Sequence, residues 1–302
     1  MKTIIKIMLA VLTGSRACSR SAKRTSLFFS FLIAAFVLSM VPTVQAAAQM
    51  WNSQSHYSEG LKDIRDDNGK YGFIDETGKV VIPCKWRNAW SFSEGMARVE
   101  DDNGKRGFID KTGKLVIPCK WKDAESFSEG LAIVEDDSWK YGFIDKKGKV
   151  VSPCKWKRAY HFSEGLAAVQ DNNGKWGFIN KTGKVVIPCK WKSAMYFSEG
   201  LADVADDNGK EGFIDKTGKV VIPCKWEEAG FFHDGLAPVK DDNGKYGFID
   251  KTGKLVIPCK WKDTWGFSSN GLASVQDDNG VLWHKIDKTG KIVISGLSSP
   301  FD

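Results

Sequence analysis

The chain has 302 residues, 42% apolar and 27% charged, with 30 glycines and 12 tryptophans, a globular composition sized for one or two domains. The formal net charge of +7 invites a nucleic-acid partner, but six basic and no acidic side chains lie in residues 1–46, which leaves 38 basic against 37 acidic residues in the remainder. The basic character belongs to the leader; the body is read as lacking a basic stripe of the kind that binds phosphates, and no nucleic-acid partner is expected.

In the leader, Lys2, Lys6, Arg16, Arg20, Lys23 and Arg24 precede an apolar run over residues 27–41. Small residues follow, with Val44 and Ala46 suited to the −3 and −1 positions of a cleavage site. This is the pattern of a secretory signal peptide, predicted over residues 1–46 with cleavage after Ala46. The run of 15 apolar residues falls short of the roughly 20 needed to span a bilayer; an uncleaved anchor formed by residues 27–46 is the alternative, and the only expected contact with a membrane. Cys18 lacks the preceding apolar residues of a lipoprotein signal. Either way the body is expected outside the cytoplasm, in the periplasm, at the cell surface or secreted. Residues 47–56 read as a short linker.

Residues 57–296 are periodic. Cys84, Cys119, Cys154, Cys189, Cys224 and Cys259 recur every 35 residues, and Trp86, Trp121, Trp156, Trp191, Trp226 and Trp261 keep the same step. A Glu-Gly, Asp-Gly or Asn-Gly pair opens each of seven units, from Gly60 to Gly271, and the last step is one residue longer through an insertion at Ser269 or Asn270. Within a unit, a first strand of the type Leu131–Val134 ends at Asp-Asp-Asn-Gly, where Asn-Gly signals a hairpin with both residues at positive φ. A second strand, of the type Tyr71–Ile74, ends at Asp-Lys-Thr-Gly, as at Asp110 to Gly113, a three- to four-residue hairpin loop with glycine in the left-handed position. A third, of the type Val80 to Trp86, should put Val80, Ile82, Cys84 and Trp86 on one face. Pro83 removes a ladder donor and marks this strand as an edge. Residues 87–94 return the chain to the next unit.

One three-stranded unit cannot bury enough surface to fold alone. Trp86, Phe92, Met96 and Val99, with their equivalents, are expected to fill cores between neighbours. The predicted fold is therefore all-β: seven three-stranded, 35-residue hairpin units stacked as an open, twisted, solenoid-like array. A closed seven-bladed propeller-like ring is the alternative. The degenerate seventh unit reads as a cap, and residues 297–302 as a tail.

The core Gly-Lys-aromatic-Gly-Phe-Ile-Asp-Lys-Thr-Gly-Lys, followed by Val-Ile-Pro and then Phe-Ser-Glu-Gly-Leu-Ala, resembles the bacterial WG repeat, or KWG repeat, family over about residues 57–294. At this position of the repeat, Trp-Gly itself stands only at Trp176-Gly177; Tyr71, Arg106, Tyr141, Glu211 and Tyr246 hold the tryptophan position elsewhere, and the seventh unit lacks the glycine. The resemblance implies an all-β repeat scaffold, often on exported bacterial proteins, and no particular activity.

The six repeat cysteines invite a disulfide reading in an exported chain. They occupy equivalent positions, however, and stacked sheets lie about 10 Å apart, beyond the roughly 7 Å that a disulfide spans. Small thiols packed beside tryptophan are the favoured reading, over disulfides or a metal, since no histidine accompanies the column. The Asp-Asp-Asn-Gly carboxylates, such as Asp101, Asp102, Asp206 and Asp207, with Asp136 and Asp137 in the equivalent Asp-Asp-Ser-Trp turn, lack the spacing of a calcium loop and read as solvated turns. His56, His161, His233 and His284 share no column, and no catalytic or phosphate-binding motif is present. No catalytic residue, cofactor or metal is expected, nor any pocket in which a histidine and a carboxylate converge.

Columns identical in every unit are explained by the scaffold, so recognition is sought where the units differ. One variable column reads Trp90, Glu125, Tyr160, Met195, Gly230 and Trp265; the next reads Ser91, Ser126, His161, Tyr196, Phe231 and Gly266. The aromatics Trp90, Tyr160, Tyr196, Phe231 and Trp265, with Tyr71, Tyr141, Trp176 and Tyr246, are the candidate binding residues, because aromatic rings suit protein hot spots and glycan stacking. The opposing reading makes them packing between units. The function expected is a non-enzymatic exported scaffold that binds a protein or glycan partner through one face. A cell-envelope spacer without a ligand and a hydrolase are the alternatives.

Overall fold

The computed structural model describes residues 56–301, so the leader, with its signal-peptide and anchor readings, lies outside the described residues. The described chain is all β, arranged as seven antiparallel sheets in tandem. Sheet 1 contains β1 (Leu61–Arg65), β2 (Tyr71–Asp75) and β3 (Val80–Trp86). Sheet 2 contains β4 (Asn88–Ala89), β5 (Met96–Glu100), β6 (Arg106–Asp110) and β7 (Leu115–Trp121), in that order across the sheet. Sheets 3 to 6 repeat this pattern, and sheet 7 is a longer variant of it.

Six sheets thus have four strands rather than three. The additional strand lies in the return segment and pairs with the sheet that follows, through Asn88↔Glu100 and Ala89↔Val99. Two residues are too few to show a period of two, which conceals this strand in the sequence.

The three hairpins of a unit differ in their turn chemistry. At Asp66-Asp67-Asn68-Gly69 and Asp75-Glu76-Thr77-Gly78, Gly69 and Gly78 donate to Asp66 O and Asp75 O, and each glycine is left-handed. Both are type I turns closed by a left-handed residue. Asn68 does not adopt positive φ, contrary to the expectation for Asn-Gly, because the Asp66 carboxylate accepts from Lys70 N and holds the wider loop. The two-residue turn with both positions left-handed is instead Glu-Gly, with Glu59 at φ 53° and Gly60 at φ 83°. It lies inside the mutual Ser58–Leu61 backbone pair.

β3 is an edge strand, and its pairing with β2 slips twice: Tyr71 faces Trp86, Phe73 faces Ile82 and Ile74 faces Val80. Pro83 falls in the unpaired bulge, where its missing N–H costs no ladder bond. The bulge presses onto β2, so a Cβ at Gly72 would lie 2.4 Å from Ile82 O and 2.7 Å from Cys84 N. This is the physical reason for the glycine after the aromatic position. The slip also breaks strict alternation. Val80 is exposed, and the cysteine is turned away from Ile82 and Trp86: Cys119 packs into the preceding core while Ile117 and Trp121 enter the following one. The placing of Val80, Ile82, Cys84 and Trp86 on one face is corrected accordingly. Lys85 lies over the Trp86 ring, 4.9 Å from its centroid, and the equivalents repeat this contact.

Each core is shared by two sheets. The forward face of sheet 1 offers Leu61, Phe73, Ile82 and Trp86; the rear face of sheet 2 offers Ala97, Val99 and Ile109. Large side chains meet small ones, which lets the sheets interdigitate. Phe92 closes the core edge-on to Phe73, with ring centroids 4.9 Å apart. Three ladders bind the sheets together. Ser58 Oγ donates to Phe92 O at 2.7 Å. The Glu59 carboxylate accepts from Gly95 N at 3.1 Å and pairs with Lys111 Nζ at 3.0 Å. Lys70 pairs with Asp102. The Glu–Lys pair recurs at the next four seams, from Lys146–Glu94 to Lys251–Glu199, and an aspartate takes the place of glutamate at the last, Lys288–Asp234.

The array is open at its carboxy-terminal end. Ile82, Ile117, Ile187, Ile222 and Ile257 are each 1% exposed, whereas the equivalent Ile294 of sheet 7 is 46% exposed. A closed ring would cover it with sheet 1. Lys285 takes the place of the buried phenylalanine, as suits a forward face with no sheet above it.

Candidate functional site

The strand register determines where the variable columns meet. Asn88 lies opposite Glu100, which lies opposite Arg106, and Trp90 N donates to Arg98 O. Side chains two apart share a face, so all these positions lie on the forward face, at the corner beside the short strand. Each seam between consecutive sheets therefore has a corner of its own composition.

Several corners are occupied by packing. Trp90 lies between two guanidinium groups, with Arg98 3.8 Å and Arg106 4.9 Å from its ring centroid. Arg98 donates to Ala124 O and Arg106 pairs with Asp123, joining sheets 2 and 3. Burial, and then the neighbouring Arg106 charge, pull the Arg98 guanidinium down to about 10. Tyr160 stacks on the buried Trp176 at 5.0 Å. Tyr71 lies under Arg65, and Tyr246 donates to Glu228 at 2.5 Å. Burial, and then that carboxylate, raise the Tyr246 phenol. Tyr141 is half-buried, and burial raises its phenol too. For these residues the packing reading applies.

One corner brings a histidine and a carboxylate together, against expectation. His161 Nε2 lies 2.6 Å from Glu125 Oε2, in a polar hollow also lined by Arg98, Arg106, Asp123 and Ser126. The hydrogen bond from His161 is the main cause of the lowered Glu125 carboxyl. The Ser126 residue lines the same hollow, and no hydrogen bond joins its hydroxyl to His161 among the described residues.

The six repeat cysteines are half-buried free thiols, and burial raises them, to about 11 for Cys119, Cys154 and Cys259. No group of three or more metal-ligating side chains converges among the described residues.

The carboxy-terminal corner differs from the rest. Tyr196 and Phe231 stack with centroids 4.0 Å apart. Phe231 then borders a cleft of about 640 Å³ between sheets 6 and 7, whose other walls include Pro238, Trp265, Leu272, Ser274 and Lys285, with Pro300 and Phe301 of the chain's tail lying against them. Trp265 is 54% exposed. The inserted residue near Asn270 accompanies this arrangement: the first strand of sheet 7 extends over Asp263–Phe267 instead of two residues, and carries Trp265 opposite Ser274. Small side chains keep the cleft open, since a Cβ at Gly230 would lie 2.7 Å from Pro238 Cγ. Of the nine predicted aromatics, Tyr196, Phe231 and Trp265 are thus brought together with exposed surface. Pro238, Lys285, Ser274 and Phe301 were not anticipated. Lys285 departs from a column that is phenylalanine in the other six units, whereas Pro238 and Ser274 share a variable column, and these were the available signals.

The WG containing repeat profile matches residues 71–105, 107–138, 141–176, 176–210, 212–246 and 246–280. No curated protein matches the chain significantly. Among solved structures the chain is similar to BamB from Moraxella catarrhalis, at 12% identity over 82% of this chain and 88% of that one, with a TM-score of 0.46. It is also similar to the computationally designed Ika8 protein, at 12% identity over 81% and 87%, with a TM-score of 0.45. A third is the C-terminal WD40 domain of Sif2, at 13% identity over 78% and 80%, with a TM-score of 0.41.

Proposed function

The chain belongs to the WG repeat family, and from that premise we propose that it is a non-catalytic, exported scaffold that holds a partner at the cleft between sheets 6 and 7. The carrying observation is the exposed Trp265 ring, with the half-buried Phe231, bordering one cleft. Clefts of about 300–1,000 Å³ with apolar walls and a few polar groups suit ligands, and tryptophan and tyrosine dominate binding hot spots. The basic leader and apolar run of residues 1–41 support export. The His161–Glu125 pair is read as part of the seam between sheets 3 and 4.

The test compares the full chain with Trp265→Ala and Phe231→Ala in capture of cell-envelope proteins and polysaccharides. Each substitution is expected to weaken capture about tenfold or more, with an unchanged circular dichroism spectrum. Undiminished capture by both folded variants would dismiss the cleft as the binding site.

A further inference from the structure

The chain's own tail indicates what this cleft accepts. After the last strand, residues 298–301 turn back across it. Pro300 O accepts from Lys285 Nζ at 2.7 Å and from Ser274 Oγ at 2.8 Å. The Phe301 ring meets Trp265 edge to face, with centroids 5.1 Å apart. Both anchoring side chains sit where the repeat does not require them. Lys285 replaces the phenylalanine found at 73, 108, 143, 178, 213 and 248, and Ser274 lies in the variable column of Arg98 and Asp203. The tail is held lightly, since Phe301 remains 77% exposed.

We propose that the cleft is a groove for an extended peptide bearing a proline followed by an aromatic residue, and that Pro300–Phe301 is an intramolecular occupant which such a partner displaces. The inference rests on the reading of the cleft as the binding site. A proline has no N–H, so its carbonyl is the only backbone group it needs to satisfy, and Lys285 with Ser274 satisfies it. Proline-rich segments are pre-extended and dock into aromatic-lined grooves at low entropic cost. The walls formed by Phe231, Pro238, Trp265 and Leu272 are apolar.

The experiment uses the full chain, the Phe301→Ala variant and a chain ending at Leu297, with the acetylated peptide Ser-Ser-Pro-Phe-Asp as probe and calorimetry as readout. Phe301→Ala and the shortened chain should bind the peptide about tenfold more tightly than the full chain, because the competing tail is weakened or removed. Replacing the proline or the phenylalanine of the peptide by alanine, or adding Trp265→Ala or Lys285→Met to the shortened chain, should each reduce affinity about tenfold or more. If folded Phe301→Ala and the shortened chain both fail to bind the peptide, the proposal is overturned. The same outcome follows if binding is indifferent to Trp265→Ala. An oligosaccharide that binds in a Trp265-dependent manner while the peptide does not would overturn the peptide inference and leave the binding site standing. Failure of both probes, together with envelope capture that survives Trp265→Ala and Phe231→Ala, would remove both.

Discussion

Trp139 stands where the other six units place glycine, at 69, 104, 174, 209, 244 and 280. It adopts φ 59° and is 68% exposed, with the Lys122 ammonium over its ring. A bulky residue in the left-handed region costs about 1–2 kcal/mol, and no core contact offsets this at a turn tip. Trp139→Gly should raise unfolding stability by about 1 kcal/mol, readable as a shifted urea midpoint; a lower midpoint would refute the strain account. The Asp-Lys-Thr-Gly turns give a second residue-scale expectation. The Thr77 hydroxyl, together with Lys79 N and Thr77 N, holds the Asp75 carboxyl below its ordinary value, and Asp110, Asp215, Asp250 and Asp287 repeat this. A folded value below the unfolded one contributes stability above the ordinary aspartate value, which is lost as pH falls through the folded value. Asn180 makes the same three bonds without a charge. Changing the five aspartates to asparagine should therefore leave the fold intact and flatten the fall in melting temperature below the ordinary aspartate value. An unchanged acid slope would sink this assignment.

At the scale of the element, the seam between sheets 5 and 6 holds a buried acid. Asp203 lies in the strand Leu201–Ala205, and its Oδ1 has no partner. Burial, and then the neighbouring Glu211 carboxylate, push it up to about 7. Here the folded value lies above the unfolded one of about 3.9, so the fold favours the protonated form. Stability should fall as pH rises from about 4 to about 7, opposite in sense to the turn aspartates and in a separate window. Asp203→Asn should abolish that decline, seen as amide exchange in residues 201–205 that no longer quickens between pH 5 and pH 8. Exchange that still quickens after correction for its intrinsic pH dependence would place the titrating group elsewhere. The period revealed the hairpins, the edge proline and the core columns, because backbone chemistry repeats in every unit. It did not reveal the left-handed turn at Glu59, whose carboxylate bond to Gly95 is made with the next sheet. The sorting of aromatics into packed and exposed also lay beyond it. Tyr160 is covered because Trp176 happens to oppose it, whereas Trp265 is open because an insertion lengthened its strand.

At the scale of the molecule, the two ends are denied the contacts that join the units. The Lys111 position is Glu76 in sheet 1, and the Glu59 position is Asn270 in unit 7. Gly78 meets no side chain, where Gly113 rests on Ile82. Restoring the ladder and core with Glu76→Lys, Asn270→Glu and Lys285→Phe should make the last sheet accept the first sheet of another copy. Sedimentation velocity should then show concentration-dependent oligomers that the unaltered chain does not form. A variant that sediments as the unaltered chain does would show that the end faces are not limiting.

The unlike corners carry a consequence for the folding chain. Scaffold columns are nearly the same in every unit, so as far as cores and ladders are concerned, sheet 2 could dock on sheet 4 as well as on sheet 3. Such out-of-order docking is a characteristic hazard of repeat proteins. The corners restrict that freedom: Arg106 of sheet 2 pairs with Asp123 of sheet 3, where sheet 4 places Arg158, and Glu125 of sheet 3 bonds to His161 of sheet 4, where sheet 5 places Tyr196. At these seams the divergence between copies sets the true neighbour apart from the next one along the chain.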